Sequence, residues 1–296
     1  MIDFSCKHEV WIRNGDGSLS RMDEPYFQAE LVRDGVWQIL SSGDYSYLVE
    51  GEEEALAIDS GYGAGNIRYF MQTLTEKPVR RIANTHDHFD HTANNSYFEL
   101  AYMSEATRPL ATRPFSSFRG IEFPREYPVR ILKDGDYIPL KGRELQAFLI
   151  PDHAAGSMAF LDRKGRILFT GDEFMRRGKR LNGGLKSWLG NLEKLAVYRQ
   201  SFDLLCGGAA IMEAGLFDAC LACAQYAMVH EGALLEAGPD DLPAAREAGH
   251  RGGSIIYDRK RPHPEDMKKM DVNLENLRKV EYGDTQLIYN VAKKNL

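Results

Sequence analysis

No apolar run in this chain reaches about 18 residues, the length a helix needs to span a bilayer, so no transmembrane helix is expected. An excess of one charge is missing too: 37 Lys and Arg against 43 Asp and Glu leave a net charge of −6, with both signs mixed along most of the sequence. A nucleic-acid binder would normally show a basic stripe. The local basic cluster at Arg259, Lys260, Arg261, Lys268 and Lys269 is flanked by acidic residues and reads as solvated surface. The N-terminus lacks the basic start and apolar stretch of a secretory signal, so a cytoplasmic location is the default expectation. There is no GxSxG or comparable Ser or Cys nucleophile motif. Cysteines are few: Cys6, Cys206, Cys220 and Cys223. The last two form a CxxC inside LFDACLACAQYAMV, which reads as a helix with an apolar face. A zinc ribbon would need a second CxxC, and none exists.

What is present is the make-up of an ordinary globular protein, 43% hydrophobic and 27% charged over 296 residues, enough to bury a sizeable core. After a mixed polar start with weak strand signals at EVWIR and FQAELV, short β-rich runs begin at Val36: VWQILSS, YSYLVEG and ALAIDSG. GAGNIRYFMQTLTEK predicts a helix with Ile67, Phe70, Met71 and Leu74 on one face, and VRRIANT predicts the next strand. The second half repeats the plan with YIPL, LQAFLIP, SMAFLD and RILFTGD, then a helix in KSWLGNLEKLAVYRQSF. In both halves a short strand, a charged turn and an apolar strand end on an aspartate, Asp59 or Asp172. Two such halves predict an α/β fold of four layers, an αββα sandwich with internal pseudo-symmetry. No linker separates them, so residues 1–230 are read as one domain. Residues 231–296 are more charged and richer in Gly and Pro. They are read as an extension packed on that domain, with a surface suited to a homodimer.

The chain has only eight histidines, and His86, His88 and His91 fall within ANTHDHFDHTANN, interleaved with Asp87 and Asp90. The bland reading is a polar surface loop. The alternative is a metal site, since imidazole with carboxylate suits zinc, iron and manganese. Two histidines separated by one residue on an extended stretch can grip one ion, leaving Asp90 and His91 to face a second. One loop cannot complete a coordination sphere, so ligands are sought at other strand ends. His153 in LIPDHAAGS and Asp172 in LFTGDEF are the candidates, the latter able to bridge two ions through its two oxygens. Taken alone, His153 reads as a structural histidine and Asp172 as a turn or helix-cap residue. Asp59 reads as structural or as the orienter of a ligand histidine.

In order, SYLVEG, ALAIDSG, THDHFDH, PDHAAGSMAF and ILFTGD, between about Val36 and Val229, resemble the metallo-β-lactamase superfamily, metal-dependent hydrolases of αββα fold. The resemblance implies that His86, His88 and His153 bind one ion, that Asp90 and His91 help bind a second, and that Asp172 bridges them. It implies Zn2+, one ion or two, with iron or manganese as alternatives. The chain departs from the family in three places. Gly208, in SFDLLCGGAAI, stands where the last ligand histidine is expected. Asp152 occupies a usual glycine position, and TANN follows the cluster where small glycines are usual. His250, beside Gly249 and close to Gly252, is preferred over His230 and His263 as substitute ligand or substrate contact.

A metal with an open position brings the pKa of bound water to about 7 and so supplies hydroxide. Asp90 is placed to orient that water or take its proton. The expected activity is therefore hydrolysis of an ester, lactone or thioester-type carbonyl in a small-molecule substrate. Asp172 stands where the zinc β-lactamases that bind antibiotics commonly carry cysteine, so the resemblance favours a lactonase or thioesterase type. Two other readings share the fold: a mononuclear iron enzyme of sulfur-dioxygenase type, and a binding protein whose catalysis has lapsed. Gly208 supports the latter. Phe115, Phe118 and Phe123 are candidates for an apolar pocket wall, or for a lid packed on itself.

Overall fold

The computed structural model describes residues 11–13, 19–21, 27–41, 44–61, 65–111, 126–176, 178–235 and 274–296. Cys6, Phe115, Phe118, Phe123, His250 and His263 lie outside the described residues. Strands β1 (Trp11–Arg13) and β2 (Leu19–Arg21) pair with each other. A seven-stranded sheet then forms in chain order: β3 (Phe27–Arg33), β4 (Val36–Ser41), β5 (Asp44–Glu50), β6 (Ala55–Ile58), β7 (Val79–Ala83), β8 (Leu100–Ser104) and β9 (Val129–Leu132). A second sheet runs β10 (Tyr137–Pro139), β11 (Glu144–Leu149), β12 (Met158–Asp162) and β13 (Ile167–Gly171). The chain leaves it for β14 (Lys179–Arg180) and returns with β15 (Leu204–Gly207) and β16 (Ile211–Glu213).

The repeat read in the sequence is visible in this pairing. Hairpin β5–β6 is antiparallel and is followed by β7 parallel to β6. Hairpin β12–β13 is antiparallel and is followed by β15 parallel to β13.

Alternation along each strand sorts side chains between layers, because neighbouring residues of a strand point to opposite faces. In the first sheet Leu48, Ala57 and Ile82 face the helix α1 (Ile67–Gln72), whose Ile67 and Met71 join them; the short helices α2 (Phe89–Thr92) and α3 (Arg108–Ala111) follow β7 and β8. Val49, Leu56 and Ile58 face the other way and meet Phe160, Phe169 and Cys206 of the second sheet. On the far side of that sheet Leu161, Leu168 and Leu205 pack under α4 (Leu185–Ala196) and α5 (Gly215–Val229), through Trp188, Leu192 and Phe217. Three apolar layers thus separate four structural ones, giving the αββα order. Each fully buried large side chain contributes about 1.5–3 kcal/mol.

Two helices are shorter than the periodicity predicts. Helix α1 opens at Asn66, whose side chain accepts from Tyr69 N, and closes at Thr73. There the threonine hydroxyl donates to Phe70 O at 2.6 Å, competing with the helical pattern. Helix α4 ends at Ala196, and the residues expected to prolong it form a 3-10 turn at Arg199–Ser201. Cys220 and Cys223 sit on α5 in the outer core, and burial pushes both thiols up to about 11. They are packing residues. Strands β17 (Ala233–Leu234), β18 (Leu277–Tyr282) and β19 (Thr285–Asn290) join β14 in a four-stranded sheet that lies against α5 through Val280, Leu287 and Tyr289. Among the described residues, no helix is long and apolar enough to cross a membrane.

Candidate metal centre

Strands β7, β11 and β13 all run out at one rim of the sandwich, and the loops that follow them carry the histidines and aspartates singled out above. The loop after β7 contains the one-turn helix α2 (Phe89–Thr92), which starts at His88 and presents Asp90 and His91. Gly171, in the left-handed region at φ +51°, turns β13 into Asp172. A Cβ at this glycine would overlap Thr85 Oγ1 and stand 2.7 Å from Thr85 Cβ, so its absence lets the two strand ends meet.

The ligand atoms of His86, His88 and His153 all lie within 4.8 Å of one another, as do those of His86, His91 and Asp172. A third group, Asp44, Asp90 and His91, meets the same spacing. The six residues expected from the sequence are therefore neighbours. His88 Nδ1 faces His153 Nε2 at 2.9 Å, and His153 Nε2 lies 3.4 Å from Asp172 Oδ2. The ring centroids of His86 and His91 are 4.1 Å apart. His86, His91 and Asp172 are buried, whereas His88 is half-buried, so the cluster opens to solvent on one side.

A small relay sets the direction of two imidazoles. Asp59, itself at φ +57°, accepts from Thr85 N at 2.8 Å and from Thr85 Oγ1 at 2.7 Å. The threonine hydroxyl has one proton. Having given it to the carboxylate, it accepts from His86 Nδ1 at 3.0 Å, which turns the His86 Nε2 lone pair toward the cluster. Asp59 Oδ2 also lies 2.8 Å from His91 Nδ1 and so commits that nitrogen as a donor. This is the orienting contact that ligand histidines characteristically make. Burial opposes charge on His91, but Asp59 and then Asp90 outweigh it and hold the imidazole well above its ordinary pKa. A cation at Nε2 would take the place of that extra proton.

Asn94 and Asn95, in the TANN departure, brace this loop from behind. The Asn94 side chain donates to Ser60 O and Gly65 O, while Asn95 and Asn84 exchange amide bonds at 2.8 and 3.0 Å. Asn84 Nδ2 also donates to His91 O at 2.8 Å.

The loop after β11 is held differently. Asp152 Oδ1 accepts from Gly183 N at 3.0 Å, and its Oδ2 lies 3.0 Å from Lys179 Nζ. Glu173 Oε1 accepts from His153 N at 2.8 Å, and its Oε2 pairs with the same lysine. All three side chains are buried, and the ammonium also sits 4.2 Å from the Trp188 ring centre. Burial pushes Glu173 up, with Lys179 pulling it down and Asp152 adding to the rise. For Lys179 burial works toward a lower pKa, but Glu173 and Asp152 reverse it and the value is raised. The aspartate that replaces a usual glycine thus has a defined place: it is one wall of an ionic bracket beneath His153.

A model of the Metallo-beta-lactamase superfamily matches residues 43–205, more than half of the 296-residue chain. The chain belongs to the metallo-β-lactamase superfamily. Among curated relatives it is 30% identical over 157 residues to the acyl-coenzyme A thioesterase MBLAC2 of Gallus gallus, across 43% of this chain and 56% of that protein. With the Homo sapiens protein of the same name it shares 26% over 175 residues, 48% of this chain and 60% of the relative. In both cases the match spans less than two thirds of the relative. The metallo-beta-lactamase from Pontibacter korlensis superposes with a TM-score of 0.54 at 19% identity, over 67% of this chain and 99% of that one, a likeness of fold.

Against the superfamily pattern, two site features need explanation. The first is Gly208. Its N donates to Gly171 O at 2.9 Å and its O accepts from Tyr45 N at 2.6 Å, so backbone fills the place of the expected histidine. A Cβ at Gly208 would overlap Asp172 Oδ1 and stand 2.8 Å from His91 Cε1. The second is Asp44, which sequence reasoning missed. An aspartate at a hairpin corner reads as an ordinary turn residue. Here it is only 4% exposed. Lys179 and Glu173 were missed as well, since nothing in sequence ties residues 173 and 179 to residue 152.

Proposed function

We propose that this superfamily member is a metal-dependent hydrolase of ester, lactone or thioester-type carbonyls in small molecules, with acyl thioesters the first class to test. The observation that carries the reading is the meeting of four imidazoles with Asp90 and Asp172 at one rim, open to solvent on the His88 side. The donor set fits a resident ion: an imidazole trio suits zinc, or iron in its place. When bound, such an ion lowers the pKa of water toward about 7 and polarises a substrate carbonyl. The chain's own residues do the rest. Thr85 and Asp59 fix the ring directions of His86 and His91. Asp90, with its side chain 14% exposed in the first turn of α2, lies between solvent and His91 Nε2, 3.5 Å away, and serves as acceptor for a proton leaving attacking water. The relatives named as acyl-coenzyme A thioesterases support the thioester choice. In this reading the chemistry belongs to residues 1–230, and the C-terminal extension braces α5.

The test is thiol release from acyl-coenzyme A thioesters by zinc-loaded protein, beside aryl esters and acyl lactones. Thioester cleavage should fall by about 10²–10⁴-fold in Asp90→Asn and to background in His88→Ala. Absence of hydrolysis on all three carbonyl classes would overturn the proposal and favour a lapsed binding protein. Oxygen consumption by an iron-loaded sample with a persulfide substrate would redirect it to the dioxygenase class.

A further inference from the structure

We infer that Asp44 supplies the second ion's missing ligand, and that the resulting pocket selects a harder cation than the imidazole trio does. The inference rests on the metal-centre reading above and extends it to a residue outside the superfamily pattern. Gly208 has no side chain to offer, and none would fit there without displacing Asp172 and His91. The same glycine positions a substitute: its carbonyl accepts from Tyr45 N, fixing the first residues of β5 against the rim, and the residue before Tyr45 is Asp44. Ligand atoms of Asp44, Asp90 and His91 fall within 4.8 Å of one another.

A group of carboxylates alone would be weak evidence, but His91 adds an independent sign. Its Nδ1 is committed to Asp59. Its Nε2 is wholly buried and reaches no partner at hydrogen-bonding geometry among the described residues. The nearest carboxylate oxygens, of Asp90 and Asp172, stand 3.5 and 3.8 Å off. A buried nitrogen aimed between carboxylates suits a cation lying among them.

The two pockets then differ in kind. Three imidazoles with one Asp172 oxygen make a nitrogen-rich site suited to zinc. Asp44 and Asp90 with the single imidazole of His91 make an oxygen-rich one, suited to manganese or another hard divalent ion. The chain would hold two unlike ions.

The decisive experiment strips the protein with chelator and reloads it with Zn2+ and Mn2+ together. Metal per chain is counted by mass spectrometry, and bound Mn2+ is followed by electron paramagnetic resonance. Wild type should hold one zinc and one manganese. The isosteric Asp44→Asn, and Asp44→Ala beside it, should lose the manganese and its resonance while keeping the zinc. Circular dichroism of the stripped proteins separates this from a folding defect, and a folded Asn variant suffices if Ala fails to fold. Retention of both ions in folded Asp44 variants would overturn the assignment. A single zinc in wild type, lost in His88→Ala, would also overturn it while leaving the metal-dependent hydrolase reading intact. No metal in wild type would sink both.

Discussion

The two halves of the sandwich bring ligands to one rim on loops of different strand context, after β7 and after β11, and hold them by different means. After β7, the histidine loop is fastened largely by uncharged groups: Thr85 on Asp59, and Asn84, Asn94, Asn95 and Ser60 on one another and on the backbone. After β11, the loop carrying His153 stands on a lysine buried between two carboxylates. The difference sets how each half fails. A neutral hydrogen bond is worth about 0.5–1.5 kcal/mol net. Removing one partner of a buried ion cluster leaves charge without compensation and costs about 3–5 kcal/mol. Two loops that serve one site therefore have unequal tolerance.

The largest expected effect is on the charged side. Lys179→Met should lower stability by about 3–5 kcal/mol in a urea titration, because Asp152 and Glu173 stay behind as neighbouring buried carboxylates. A loss below about 1 kcal/mol would mean the bracket is not held by charge, and the contrast between the halves would collapse.

On the neutral side the expected damage is to metal affinity. Asp59→Ala removes the acceptor that directs His91 and, through Thr85, His86. Affinity measured by chelator competition should fall by about 10–100-fold, with folding affected less. Unchanged affinity would show that the rings are directed by packing alone.

The smallest effect lies in pH dependence. The folded-state pKa of Lys179 is raised above the ordinary 10.5. The native chain therefore holds a proton that the unfolded chain releases first. The stabilisation is complete below 10.5 and is lost as pH climbs through the raised value. Wild type should lose stability over that alkaline window faster than Lys179→Met does; parallel curves would remove Lys179 as the titrating group.

Most of the architecture was legible in the sequence because period-two alternation and charged hairpin turns report burial directly, as YSYLVEGEEEALAIDSG illustrates. The histidine cluster was legible because its members are neighbours in sequence. Helix lengths were less so, since a hydroxyl such as that of Thr73 can end a helix that apolar spacing would continue. The departures told half a story. Gly208 and Asp152 were visible as anomalies, but the residues that meet them, Tyr45 next to Asp44 and Lys179, come from other strands. Only pairing across the rim reveals that a turn aspartate is buried, or that a lysine answers an out-of-place aspartate. His250, the substitute preferred from sequence, lies outside the described residues, and Asp44 offers a shorter route to the same vacancy in the pattern.

Tyr47 OH donates to Gly207 O at 2.6 Å across a sequence separation of 160 residues, beside the Tyr45–Gly208 bond. These stitches join the first sheet to the last strand end of the centre, and they matter for the order in which the molecule is built. Hairpins within each half close over short loops and can form early, whereas so distant a closure forms late. An ion that binds only the joined state adds about 4 kcal/mol at a free concentration a thousand times its Kd. An ion bound there would act as a latch on assembly: scarcity of metal in the growth medium would be felt first as slow closure of the two sheets on each other.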